Sequence, residues 1–138
     1  MQSLISVARK LDEEGEAEKA FNAYLLAFEK GEGVFYDYIN ASFLAFIFQD
    51  FGFSNQKKIA SEVIDEAYLE MTRILDKGDD LFGVSEESEF WRKYYCLILN
   101  GKSEYDAFCQ EFLANLKDVG PPVNEKIRYL KSLRRGQQ

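Results

Sequence analysis

Apolar positions recur at helical spacing almost from the start of the chain. Leu4, Val7, Ala8 and Leu11 fall at i, i+3, i+4 and i+7, which predicts one buried stripe on a helix over Ser3–Glu13. Gly15 breaks the pattern. A second helix, from about Glu16 to Lys30, carries Ala20, Tyr24, Ala27 and Phe28 on its inner side until Gly31 and Gly33 stop it, and two helices around one glycine make a helical hairpin. The pattern then changes character. In Val34–Phe53, VFYDYINASFLAFIFQDFGF, the residues Phe35, Tyr38, Phe43, Leu44, Phe46, Ile47 and Phe48 point in every direction on a 3.6-residue wheel. A helix that is apolar all round must be enclosed by other elements, so this stretch, ending near Gly52, is the predicted centre of the fold.

Amphipathic spacing returns beyond it. Ser54 is the expected N-cap of a fourth helix with the stripe Ile59, Val63, Ala67, Met71 and Ile74/Leu75, and DKGDDLFGV from Asp76 reads as the connection that closes it. Ser85 and Ser88 offer the next cap, and a fifth helix follows through Phe90, Trp91, Tyr94, Tyr95, Ile98 and Leu99 to a stop at Asn100-Gly101. A sixth starts at Ser103 with Tyr105, Phe108, Phe112 and Leu116 inward. After Gly120-Pro121-Pro122 a last amphipathic helix, Val123–Leu133, carries Ile127, Leu130 and Leu133. The expectation is a single all-α domain over residues 1–138, with hairpins at about 3–30, 34–77 and 85–117 and a C-terminal helix at about 122–135.

Composition agrees with this reading. The chain has 138 residues, 46% apolar and 30% charged, within the size and balance of one globular domain. Its charge is uneven: Met1–Leu116 carries a net −11, and Lys117–Gln138 a net +4. An acidic body argues against general nucleic-acid binding, which needs clustered Lys and Arg. The basic segment KIRYLKSLRR is read as helix-end charge favoured by the macrodipole.

Catalytic chemistry finds little footing. The chain has no His, so neither Ser–His nor Cys–His activation can be assembled, and no glycine-rich phosphate cradle is present. The core of GKSE at Gly101–Glu104 lacks the upstream glycine and strand of a P-loop. Asp76–Glu87 matches a calcium loop at its first, fifth and twelfth positions, but Gly78 and Leu81 stand where a ligand and the turn glycine belong. Carboxylate pairs such as Asp12/Glu16 and Glu66/Glu70 are expected on any wet helix face of so acidic a chain. A non-enzyme is therefore expected, with no cofactor and no metal. Cys96 and Cys109 form no CxxC pair, Met1–Lys10 does not read as a signal peptide, and the apolar run Phe43–Phe48 is too short to span a bilayer. A cytoplasmic location without a membrane span follows as the expectation.

Leu4, Val7, Ala8, Leu11, Gly15, Ala20, Tyr24 and Ala27 resemble the small-and-large pattern of a tetratricopeptide repeat, in which small residues let two antiparallel helices approach. The resemblance covers about 30 residues and departs at Glu32, where the family has proline. Tyr38, Ala41, Ser42, Ala45, Ala60, Ile64 and Ala67 resemble a second repeat with about six extra residues between its helices. Trp91, Tyr94, Tyr95, Ile98, Ala107 and Ala114 resemble a third, with Glu111 in place of an aromatic residue. The resemblance implies a right-handed array of three antiparallel hairpins closed by a capping helix; the other reading is an irregular helical bundle. It further implies a concave groove lined by Tyr36, Ile39, Phe43, Phe46 and Ile47, with Gln2, Arg9, Asp12 and Glu13 on one edge and Arg92 and Asn100 on the other. The same rings serve equally well as core.

The function expected is non-catalytic recognition of another protein, through a partner peptide or helix in that apolar groove. The alternative is a small acidic inhibitor, such as an immunity protein or antitoxin, that neutralises a basic partner. A third class is a small-molecule or lipid carrier with its pocket beside the aromatic helix. An empty apolar groove is also open to closure by a second copy as a homodimer.

Overall fold

A computed structural model of the protein describes residues 3–99. They form six α-helices and, among the described residues, no strand: α1 (Leu4–Glu13), α2 (Ala17–Glu29), α3 (Phe35–Ile47), α4 (Phe51–Lys57), α5 (Ser61–Phe82) and α6 (Glu86–Leu99). The sixth and C-terminal helices expected from the sequence lie outside the described residues. So do Gln2, Asn100, the Gly101–Glu104 segment and Cys109.

The first two helices form and pack as a hairpin; α2 buries the predicted Ala20, Tyr24, Ala27 and Phe28, whereas α1 buries Ile5, Ala8 and Asp12 and leaves Leu4, Val7 and Leu11 only half-buried. Ser3 caps α1 by accepting the Ser6 N–H, and Ala8, Ala20 and Ala27 are wholly buried, so the backbones of α1 and α2 approach closely. The Tyr24 hydroxyl crosses the seam to donate to Asp12 Oδ2 at 2.9 Å. Such a bond is needed, because a buried polar group without a partner costs about 1–3 kcal/mol. Gly33, at φ +110, ends the hairpin where a Cβ would lie 3.0 Å from the Phe28 ring.

α3 is the hub. Of its 13 residues, the eleven from Asp37 to Ile47 are buried, which requires neighbours on every side. Phe28 of α2 stacks on Tyr38 at 3.9 Å, Phe21 of α2 meets Phe48 edge-on at 5.4 Å, and Phe43 meets Trp91 of α6 at 5.5 Å. α5 runs antiparallel to α3: Gly78 packs on Tyr38, the Ser42 hydroxyl donates to the Met71 carbonyl at 2.9 Å, and the Gln49 amide donates to the Ile64 carbonyl at 3.0 Å.

Several boundaries differ from expectation, including the fourth helix, expected from Ser54 through Ile59 but interrupted at a left-handed Lys58 and restarted at Ser61 as α5. The aromatic stretch is not one helix to Gly52, because the chain turns at Phe48–Asp50 and restarts as α4. Asp50 is the cap, its carboxylate accepting the Phe53 N–H at 3.0 Å, whereas Ser54 lies inside α4 and donates its hydroxyl to the Phe48 carbonyl. An acidic side chain in extended geometry competes well for a cap, and Asp50-Phe51-Gly52 hid that signal inside an apolar run. A further correction concerns Asp76–Phe82, which continues α5 instead of forming a connection. A glycine inside a helix costs about 1 kcal/mol relative to alanine. Here Gly78 continues the buried series Ala67, Met71, Ile74 and Leu75, and a Cβ in its place would lie 3.0 Å from Tyr38 Cβ. Close approach of α3 and α5 offsets the propensity loss. The Ser85–Ser88 cap is found where the sequence put it, the Ser88 N–H donating to Ser85 Oγ at 3.0 Å and the Ser85 N–H to Ser88 Oγ at 3.1 Å.

Candidate interaction surface

The structure fills most of the groove expected from the sequence. Ile39 and Phe43 are 1% exposed, Phe46 is 5% and Ile47 is 7%. Phe46 stacks on Tyr95 at 4.7 Å with Tyr94 edge-on at 5.7 Å. These four side chains are core, because α6 lays Trp91, Tyr94 and Tyr95 against the face of α3 that they occupy. A groove-lining role for them is corrected on that ground. Tyr36, 41% exposed, is the one expected groove residue that reaches the surface.

Two of the expected edge residues, Arg9 and Arg92, are brackets between helices. Arg9 Nε and Nη2 donate to the two oxygens of Asp37 at 2.9 and 2.7 Å, and Asp37 Oδ2 also takes the Val34 N–H at 2.7 Å. Asp37 is 2% exposed, so this bidentate pair ties α1 to the first turn of α3 with little water to screen it. The hydrogen bonds it donates to Asp37 hold the Arg9 guanidinium above its ordinary pKa. Arg92 Nη2 donates to Asp76 Oδ1 at 2.8 Å and Asp79 Oδ2 at 2.9 Å, tying α6 to the last turns of α5. Asp12, expected on an edge, is buried beneath Tyr24, while Glu13 is exposed. Burial, followed by the nearby Asp12 carboxylate, pushes the Tyr24 phenol far above its ordinary pKa, so it stays a donor.

Antiparallel packing puts the start of α3 and the end of α5 at one end of the molecule. Exposed apolar side chains occur on both elements at that end: Val34 and Tyr36 from α3 and its cap, Leu81 and Phe82 from the last turn of α5, and Val84 just beyond. Phe82 is positioned by Tyr38, ring to ring at 5.7 Å. Asp80 and Glu86, both exposed, lie in the same chain segment as Leu81, Phe82 and Val84, as do Asp76 and Asp79 of the Arg92 bracket. Reading Asp76–Val84 as a connection hid Leu81, Phe82 and Val84; the signal that would have found them is their i+3/i+4 continuity with Leu75 and Gly78.

Among the described residues no group of three or more His, Cys, Asp or Glu is placed to hold a metal ion, and no helix is long and apolar enough to cross a membrane. No family model, curated protein or solved structure matches the chain.

Proposed function

We propose that the chain is a non-catalytic protein-interaction module that docks a basic partner segment on the apolar, acid-flanked end formed by α3 and α5. The observation that carries this reading is the exposure of Val34, Tyr36, Leu81, Phe82 and Val84 at one end of the antiparallel α3–α5 pair, with Asp80 and Glu86 exposed in the same chain segment as the last three. Large rings at the centre of a contact supply its hot spots, and surrounding charge selects the sign of the partner. The tetratricopeptide-like arrangement belongs to the same proposal. The close α1–α2 hairpin and the antiparallel α3–α5 pair support it, with α4 as an insertion between the second pair.

A second reading, a small acidic inhibitor such as an immunity protein or antitoxin, is supported by the net −11 over Met1–Leu116. The apolar residues separate the two, since both readings lose association rate as ionic strength rises but only docking at the α3–α5 end depends on Tyr36 and Phe82. The test is affinity capture from source-cell lysate with the parent chain and with Tyr36→Ser/Phe82→Ser, eluting in salt steps. A basic protein retained by the parent and lost by the variant supports the docking end. Identical recovery by both sinks it, and early elution of a strongly basic protein from both moves the reading to the inhibitor.

A further inference from the structure

A second feature lies at the opposite end of α3. The turn Phe48–Asp50, the short helix α4 and the first turns of α5 enclose an open groove of about 610 Å³, within the range of small-ligand sites. Its apolar lining is Phe48 and Ile59, both buried and forming its floor, with the half-buried Ile64 and the exposed Phe51 above them. Phe51 is 91% exposed, an aromatic wall with no covering side chain.

The polar groups of the groove differ in their engagements. The Gln49 amide is occupied by the Ala45 and Ile64 carbonyls at 3.2 and 3.0 Å, and the neighbouring Lys57 amine reaches the Gly15 carbonyl at 3.2 Å. The side chains of Lys58 and Asn55 have no hydrogen-bond or ion-pair partner among the described residues. No acidic side chain lines the groove. It therefore presents an ammonium and an amide at the rim of an apolar trough, on a chain whose net charge is −7. Over most of such a chain an anion is repelled, so a site built this way selects a ligand with one negative head and an apolar body.

We propose that this groove binds a free alkyl monocarboxylate of medium chain length, its head on Lys58 and Asn55 and its chain along Phe48, Phe51, Ile59 and Ile64. The inference is independent of the protein-docking reading, which concerns the other end of α3.

Calorimetric titration of the full chain with decanoate, kept below its aggregation concentration, tests it. One saturable site per chain is expected, about fifteenfold tighter for decanoate than for octanoate at about fourfold per methylene. Decanoate is expected to bind at least about tenfold tighter than decylammonium, although net charge alone favours the cation. Lys58→Gln is expected to weaken decanoate about tenfold, and Phe51→Ala several-fold. Both side chains are exposed, so neither change threatens folding. No saturable heat, equal binding of decanoate and decylammonium, or unchanged affinity in both variants overturns the proposal. So does sedimentation showing a dimer that Phe51→Ala dissociates, since the groove would then be closed by a second copy.

Discussion

Replacing Phe46 with alanine separates a core ring from a groove ring. Phe46 is 5% exposed, stacked on Tyr95 at 4.7 Å and edge-on to Tyr94 at 5.7 Å. Truncating a buried Phe to Ala costs about 3–5 kcal/mol, from lost transfer energy plus the cavity left behind. Aromatic pairs add about 0.5–1.5 kcal/mol beyond area burial, which places this site in the upper half of the range. Against a total stability of roughly 5–15 kcal/mol, about 4 kcal/mol is a large fraction. At roughly 3 °C per kcal/mol for a domain of this size, it lowers Tm by about 12 °C. Tyr36→Ala, at an exposed position on the same helix, is expected to cost less than about 1 kcal/mol. Urea denaturation followed by circular dichroism, with the slope unchanged, measures both. Equal losses in the two variants, or a loss below about 1 kcal/mol for Phe46→Ala, refute the placement of α3 as hub and restore an open aromatic groove.

Other outcomes follow from single contacts. Arg9→Met keeps the side-chain stem but leaves the buried Asp37 carboxylate without its cation; about 2 kcal/mol is lost, discounted for the partial exposure of Arg9, whereas Arg73→Ala on the exposed Glu70 pair changes urea stability by less than about 0.5 kcal/mol. Lys58 sits at φ 56 and ψ 47, so Lys58→Gly is expected to stabilise the chain by about 0.5 kcal/mol, the relieved strain exceeding the added freedom of the unfolded state, while removing the ammonium proposed to bind carboxylate. Burial holds the phenols of Tyr24 and Tyr95 far above their ordinary pKa. Their stabilisation is complete below the unfolded value near 10 and declines above it as the unfolded chain sheds protons, by about 1.4 kcal/mol per pH unit per tyrosine. Urea midpoints that stay level from pH 9 to 11 would contradict the burial of both rings.

Much of the fold was legible because helical spacing is a local signal. The hairpin glycine Gly15 and the Ser85–Ser88 cap each depend on residues within a turn or two of one another, and each is found in place, whereas the stripe read as Leu4, Val7, Ala8 and Leu11 is shifted, with Ile5, Ala8 and Asp12 the buried residues of α1. Val34–Phe53 was legible as central, because a segment apolar all round has no solvent-facing solution. Its break was not, because Asp50 acts as a cap only once Phe48 and Ser54 close the turn. The identity of its neighbours was equally hidden: whether Phe43 and Phe46 line a groove or fill a core depends on where Trp91 and Tyr95 arrive, some fifty residues later. Gly78 shows the same limit. Sequence propensity reads it as a stop, and only its contact with Tyr38, forty residues away, makes it part of a helix. The partners of Arg9 and Arg92 were out of reach for the same reason, since ion pairing across helices follows tertiary approach.

The two arginine brackets also decide how salt acts on the proposed docking end. Raising ionic strength screens exposed charges beyond a Debye length of about 8–10 Å, so it slows the approach of a basic partner toward Asp80 and Glu86. It acts weakly on Arg9–Asp37, whose carboxylate is 2% exposed and whose two hydrogen bonds span 2.7 and 2.9 Å. The shape of the apolar patch therefore stays fixed across a salt range that changes the encounter rate. The association rate of a captured basic partner is expected to fall about tenfold or more between low and physiological salt, while its dissociation rate and the urea midpoint of the free chain move little. If the urea midpoint falls in step with binding, salt is loosening the brackets themselves, and the acidic flank is not what recruits the partner.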